Sequence, residues 1–275
     1  VILSSNHTFN TKIALFKYDS LIPGISNTFA DGARLDEGCS IIGPTYQAWR
    51  CTIEGEVELT KDCLLECMDI SAGIPALSIT GNGNEVSFVL CEGGIQISGR
   101  GNNLKEITCK NSSGYGIWLR SGIDNNLVSI ECTGNSGGGI LIEGGKGNTI
   151  RGSTIWGNSG NGVTMSNCQD NTLASSRIYD NEGHGVEVLG GAVGNSISEN
   201  TSIHDNQGDG VRVTGGGTAD TTIADCTIEE NSGSGIAIFQ DDAGGMPVGT
   251  QVFHTELSLN GEYNILILSL IHISE

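Results

Sequence analysis

GNTIRGSTIWGNSGNGV, residues 147–163, holds five glycines and three asparagines, and no apolar stripe of helix length. DNTLASSRIYDNEGHGV at 170–186 and GNSISENTSIHDNQGDGV at 194–211 share its skeleton. A segment this rich in turn residues cannot bury a core alone. Three copies in succession point to a repeat, in which each unit is covered by its neighbours.

Aligning the copies extends the repeat in both directions. One anchor is a Gly or Asp followed by Asn: Gly101-Asn102, Asp124-Asn125, Gly147-Asn148, Asp170-Asn171 and Gly194-Asn195, then Asp220-Thr221 and Gly249-Thr250 with Thr substituted. An aliphatic residue follows each at Leu104, Leu127, Ile150, Leu173, Ile197, Ile223 and Val252, spaced by 23, 23, 23, 24, 26 and 29 residues. A second anchor runs Ser112, Asn135, Asn158, Asn181, Asn206, Asn231 and Asn260, with Cys109, Cys132, Ile155, Ile178, Ile203, Ile228 and Leu257 three positions earlier. A G-x-G-[IV] signature closes the unit, and its aliphatic pairs, such as Val163/Met165 and Val186/Val188, are two apart. That is the spacing of one face of a strand.

Each unit therefore reads as three short strands joined by tight bends. Coaxial stacking at about 4.8 Å per coil, the ordinary distance between paired strands, places each aliphatic spot on the same spot of the next coil. Gly and Asn suit corners that need a positive φ. Asn side chains at one corner can bond in a ladder, which predicts that Asn158, Asn181, Asn206 and Asn231 form one continuous inward column. Upstream the register weakens, through Gly83-Asn84-Glu85-Val86, Ile95/Ile97, Leu77/Ile79 and Val57/Leu59. The expected architecture is an all-β parallel solenoid of about ten coils over residues 51–268. Residues 1–50 are expected to form a cap or degenerate first coils. Residues 269–275, SLIHISE, break off in mid-coil and read as a truncated or non-native tail, and the start at Val1 likewise reads as that of a fragment.

The unit N-x-[IL]-x(4)-I-x(2)-N-x-G-x-G-[IV]-x-[IL] resembles the right-handed parallel β-helix repeat of the pectin-lyase-like superfamily, in particular its generic repeat branch related to NosD periplasmic proteins. The resemblance covers 83–268 well and 50–82 loosely. It implies the fold. For activity it implies a range: polysaccharide lyases, glycoside hydrolases, alginate epimerases, tailspikes and adhesins share that architecture, and fold does not choose among them. The DPH triplet of alginate epimerases and the NTD motif of polygalacturonases are absent. GGKGNTI at Gly144–Ile150 resembles the calcium nonapeptide GGxGxD, but Thr149 stands at the aspartate position.

Composition narrows the partners. Thirteen basic against 32 acidic residues leave a net charge of −19. Such a surface repels phosphate backbones and anionic bilayers, so neither nucleic acid nor membrane insertion is expected; no apolar run reaches spanning length. Nine cysteines fit no fully paired framework. Cys91, Cys109, Cys132 and Cys226 fall on or near inward positions and read as buried thiols, with a Cys109–Cys132 disulfide as the less favoured alternative.

Reading outward positions as columns gives the candidate chemistry. The third strand brings His184, Glu187, Asp209 and Arg212 onto two adjacent coils. A base at His184 or Arg212 beside the Glu187 and Asp209 carboxylates could abstract a proton next to a uronate carboxyl group or assist hydrolysis; the alternative is a surface ion-pair network. Trp118 on the third strand, with Trp156, Tyr179 and His204 on the second, offers flat rings for sugar faces. Asp180, Asp205 and Glu230 stack as a second-strand acidic column, whose mutual repulsion a bound Ca²⁺ would relieve; the alternative is a solvated acidic stripe. The expected function is binding or processing of an extracellular polysaccharide, in a secreted, cell-surface or phage-particle setting. The alternatives are a non-catalytic structural or adhesive β-helix and a periplasmic accessory protein.

Overall fold

The computed structural model describes residues 8–9, 12–16, 19–21, 28–29, 31–43 and 51–268, with residues 8, 9, 28, 29 and 51 as backbone only. The tail at 269–275 lies outside the described residues. Every regular element among them is a short β-strand. A representative coil runs Thr149–Arg151, Thr154–Trp156 and Val163–Ser166. Each strand pairs in parallel with its counterpart one coil on: Ile150 with Leu173, Ile155 with Ile178, Val163 with Val186. In Asn103–Lys110 and Asn126–Thr133 the first and second strands fuse into one.

The third strands build a twelve-stranded sheet among the described residues. The register continues above residue 50: Ile13–Leu15 pairs with Ala33–Leu35, which pairs with Val57–Leu59. These two strands, from the segment in which no repeat is visible, thus stack on the same face as the rest. The aliphatic columns line the interior. Leu104, Leu127, Ile150, Leu173, Ile197 and Ile223 are fully buried, as are Ile155, Ile178, Ile203 and Ile228. At the last described coil inward positions open furthest, with Ile265 and Ile267 exposed.

Two asparagine ladders hold the corners. In the expected one, the backbone N–H of Asn158 donates to Asn181 Oδ1 (3.2 Å), that of Asn181 to Asn206 (3.2 Å) and that of Asn206 to Asn231 (3.2 Å). Each side-chain amide repeats the bond one coil on, at 2.9–3.0 Å. The first anchor forms a second ladder from Asn84 through Asn102, Asn125, Asn148 and Asn171 to Asn195. These amides are buried, yet each bonds both the backbone and its neighbour, which is what a buried polar group requires. The position before each residue of the Ser112–Asn260 column is left-handed: Asn111, Gly134, Gly157, Asp180, Asp205, Glu230 and Leu259 all have φ between 53° and 64°. Gly139, Gly162, Gly185 and Gly210 are glycine for lack of space, since a Cβ there would overlap an Ile Cγ2 at the core.

Cys91, Cys109 and Cys132 follow one another inward across paired strands. They are buried thiols, and burial raises the Cys109 pKa. Burial pushes the Cys91 thiol up to about 12.

Candidate functional site

The third strands present an open face with one column running Gln96, Trp118, Leu141, Thr164, Glu187, Arg212 and Ala237. Beside it, at the corner leading into each strand, lie Tyr115, Gly138, Asn161, His184, Asp209 and Ser234. The structure brings His184, Asp209 and Arg212 together as the spacing predicts. Asp209 Oδ2 lies 3.4 Å from His184 Nδ1 and 3.5 Å from Arg212 Nη1. Its Oδ1 accepts the backbone N–H of Ser234 at 2.8 Å. Asp209 is only 6% exposed, so it serves as the buried anchor of the group.

Glu187 stands apart from that trio. It is the in-register neighbour of Arg212, but its Oε2 accepts from Asn161 Nδ2 at 2.8 Å. Asn161 also takes the His184 backbone N–H on its Oδ1 (2.8 Å) and so couples the two halves of the site. Arg212 lies over Phe239, 4.5 Å from its ring centroid, a cation–π contact. Its Nε is buried without a hydrogen-bond partner.

Two contacts set opposite demands on the His184 tautomer. The backbone N–H of Asp209 donates to His184 Nδ1 at 2.8 Å, which needs Nδ1 as acceptor and the proton on Nε2. Arg212 Nη1, which can only donate, lies 3.3 Å from Nε2, which needs the proton on Nδ1, toward Asp209 Oδ2. Burial lowers the His184 pKa below its ordinary value, and Arg212 acts in the same direction against the carboxylates of Asp209 and Glu187. The lowered pKa favours the neutral ring. Its lone pair faces either the Asp209 N–H or Arg212 Nη1, and Arg212 remains protonated. Glu187, expected only to support, keeps a carboxylate oxygen available.

Trp118 belongs to this face, three coil rises from Glu187, about 14 Å along the axis. Its Nε1 donates to Glu143 Oε2 at 3.2 Å, and Arg120 lies over its ring at 5.2 Å. Tyr115 reaches along the corner column because the next position, Gly138, has no side chain: a Cβ there would meet the Tyr115 ring at 3.0 Å. Burial, then the Glu187 and Glu143 carboxylates, raise the Tyr115 pKa. Tyr115, Asn161 and Phe239 were not singled out from sequence, although all lie in the same columns as the residues that were. The missing signal is side-chain reach across an empty glycine.

The second face carries the other rings. Trp156, Tyr179 and His204 stack almost parallel, with centroids 6.0 and 5.1 Å apart and interplanar angles of 5° and 1°. Trp156 Nε1 donates to Glu131 Oε1 at 3.2 Å. A shallow cleft of about 410 Å³ opens here beside Ser129, Glu131, Thr154 and Tyr179. Trp118 thus does not join Trp156, Tyr179 and His204, since its coils turn it to a different sheet.

The acidic column exists, but its physical reason is conformational. Asp180, Asp205 and Glu230 occupy the left-handed corner described above, which Gly, Asn and Asp tolerate best. His204 Nδ1 lies 2.7 Å from Asp205 Oδ2, so that carboxylate faces a ring. Among the described residues no three His, Cys, Asp or Glu side chains are gathered so as to hold a metal ion. The expected Ca²⁺ site at Asp180, Asp205 and Glu230 is therefore not assembled.

Comparison with known families meets this geometry at the fold. A family model described as a right-handed β-helix region matches residues 75–221, more than half of the chain. The chain belongs to the right-handed β-helix family. The solved β-helices that it resembles include the A-module of mannuronan C-5 epimerase AlgE4 from Azotobacter vinelandii, at 12% identity and a TM-score of 0.66 over 93% of this chain and 90% of that one. The Dettilon tailspike protein gp208 aligns at 13% identity and a TM-score of 0.76, over 97% of this chain and 61% of the tailspike. The periplasmic alginate epimerase AlgG aligns at 13% and 0.51, over 86% and 73%. At such identities the likeness is one of fold. No curated protein matches the sequence. Among the described residues no helix is long and apolar enough to cross a membrane.

Proposed function

We propose that this β-helix binds a polysaccharide along its third face, in a secreted, cell-surface or phage-particle setting. The observation that carries the reading is the continuity of that face. Polar groups of both kinds, from Asn161, Glu187, His184 and Arg212, lie between the rings of Tyr115 and Trp118 at one end and Phe239 at the other. Trp118 and Phe239 are separated by five coil rises, about 24 Å. Rings take the apolar faces of sugars, and the amide, carboxylate and N–H groups take hydroxyls. The neighbours named as epimerases act, by their names, on mannuronan and alginate, which supports the reading of a polysaccharide ligand. Binding fits the site better than base catalysis at His184, because both ring nitrogens are committed as described above. If processing accompanies binding, Glu187 is the base, taking the proton on the carboxylate oxygen that Asn161 leaves free.

Affinity electrophoresis against a panel of neutral and acidic polysaccharides tests the reading, with parallel assays for unsaturated uronates and new reducing ends. Retardation by at least one glycan is expected. It should vanish in the His184→Ala/Arg212→Ala double variant and persist in Tyr179→Ala. Retardation lost in Tyr179→Ala and kept in the double variant would move the site to the stacked rings of the second face. Turnover that survives Glu187→Gln would remove the assigned base. Failure to bind any glycan would leave a structural or adhesive β-helix.

A further inference from the structure

Beyond the end of the third face that Tyr115 and Trp118 define, the chain leaves the regular coil. The segment between Met68–Ser71 and Leu77–Ile79 carries Ile74 and Pro75 outward over the start of the third strands. Together with Gly94, Ile95, Gln96, Gly114, Tyr115 and Trp118 it encloses a pocket of about 220 Å³. The walls are aliphatic and aromatic; Gln96, in register with Trp118, is the polar side chain among them apart from the Tyr115 hydroxyl. Ile74 is 55% exposed, an apolar side chain held at a rim instead of in the core. Pockets that enclose whole small ligands run from about 300 to 1,000 Å³. This one is smaller and opens onto the face where a polymer would lie.

We infer that this pocket is a specificity subsite for a small apolar substituent on the bound glycan, an O-acyl, O-methyl or C-methyl group. The inference rests on the polysaccharide-binding reading above and refines its ligand class. A bare sugar hydroxyl placed there would lose its water and find few partners, which is costly. A methyl or acetyl group gains from the burial, and the Gln96 amide is placed to meet an acyl carbonyl. The chain's net charge of −19 points the same way, since it disfavours a densely charged polyuronate and favours a neutral, substituted chain.

Gly114 supplies a direct test. A Cβ there would meet Ile74 Cγ2 at 3.8 Å and Ser112 Oγ at 3.9 Å, ordinary contacts, with no backbone closer. Gly114→Val therefore builds toward Ile74 from a Cβ position free of backbone clashes, and Ile74→Ser removes a wall from an exposed position. Binding is measured by calorimetry to an O-acetylated glucomannan before and after mild saponification, and to a rhamnose-rich polysaccharide before and after the same treatment. The substituted forms should bind about fourfold more tightly for each methyl buried. Alkali should abolish the gain for the ester and leave that for the C-methyl sugar, which separates the two sources. Gly114→Val and Ile74→Ser should each erase the preference while retaining affinity for the saponified chain. Equal affinity of the wild type for substituted and bare polymers would overturn the inference and leave the binding face intact. So would a preference that survives both variants. No binding to any polymer would overturn the reading of the face and the subsite with it.

Discussion

Asn181→Ala removes one rung of the inner ladder, and its cost can be worked from the bonds. Asn181 Oδ1 accepts the backbone N–H of Asn158 at 3.2 Å and its side-chain amide at 2.9 Å. Asn181 Nδ2 donates to Ile155 O, Tyr179 O and Asn206 Oδ1 at 3.2, 3.0 and 3.0 Å. In the variant, Asn158 Nδ2 still has Cys132 O and Trp156 O, and Asn206 Oδ1 still has the Asn181 backbone N–H. The Asn158 backbone N–H has no substitute, and Asn158 is fully buried. An orphaned buried donor costs about 1–3 kcal/mol, and the lost side-chain bonds add about 1 kcal/mol net. The expected loss is about 2–4 kcal/mol, read by urea denaturation, with the Asn158 amide exchanging faster in hydrogen-exchange mass spectrometry. Solenoid unfolding propagates between neighbouring coils, so the exchange measurement localises what the melt averages. A variant within about 0.5 kcal/mol of wild type, the range of ordinary surface substitutions, with Asn158 still protected, would refute the ladder as a source of stability.

Gly185→Ala should destabilise by about 1–3 kcal/mol through overpacking, because its Cβ would overlap Ile203 Cγ2 and lie 2.6 Å from Gly210 O; an unchanged thermal midpoint would contradict this. Burial pushes the Cys91 and Cys168 thiols up to about 12 and Cys226 to about 11, so mass spectrometry should find all three unalkylated at pH 8 in the native protein and modified in denaturant. The His184 ring should titrate below its ordinary value of 6.5, as followed by its ¹⁵N shifts. Because the unfolded chain protonates first, His184 should cost stability as pH falls below about 6.5, and the acid limb of the stability curve should flatten in His184→Gln.

The repeat made most of the fold legible. Columns spaced by 23 to 29 residues fixed which residues pair, and the pairs Ile150–Leu173 and Val186–Val211 occur as aligned. The upstream coils were not legible because their corners lack the Asn signature. Ile13–Leu15 and Ala33–Leu35 show only one short aliphatic alternation each, too little to detect without the neighbour they stack on. The second asparagine ladder is visible in the sequence as an anchor but not as a hydrogen-bonded column. A Gly-Asn dipeptide reads first as a turn, and nothing in it says on which side of the wall the Asn falls.

The site was legible as a set of neighbours and not as a set of roles, and the difference is physical. A column states which Cβ atoms stand side by side at about 4.8 Å. It does not state which heads meet, since a side chain can reach past its neighbour. Arg212 passes Glu187 in favour of Asp209 and Phe239, and Glu187 turns to Asn161. Tyr115 crosses Gly138 toward carboxylates on coils further along. The same ambiguity undoes the acidic column. Asp180 and Asp205 look like cation ligands as a pattern, whereas their φ values show residues chosen for a left-handed corner. A charge in a solenoid column thus has two competing explanations, its side chain and its backbone. At Asp209 the side chain wins, because the carboxylate is buried and bonded to Ser234 and sits against His184 and Arg212. At Asp180 the backbone wins, because the side chain is exposed and the φ is one that few residues tolerate. Exposure and φ together separate charges held by their side-chain partners from charges placed by their backbone in this fold, and the first group comes first among residues to test for glycan binding.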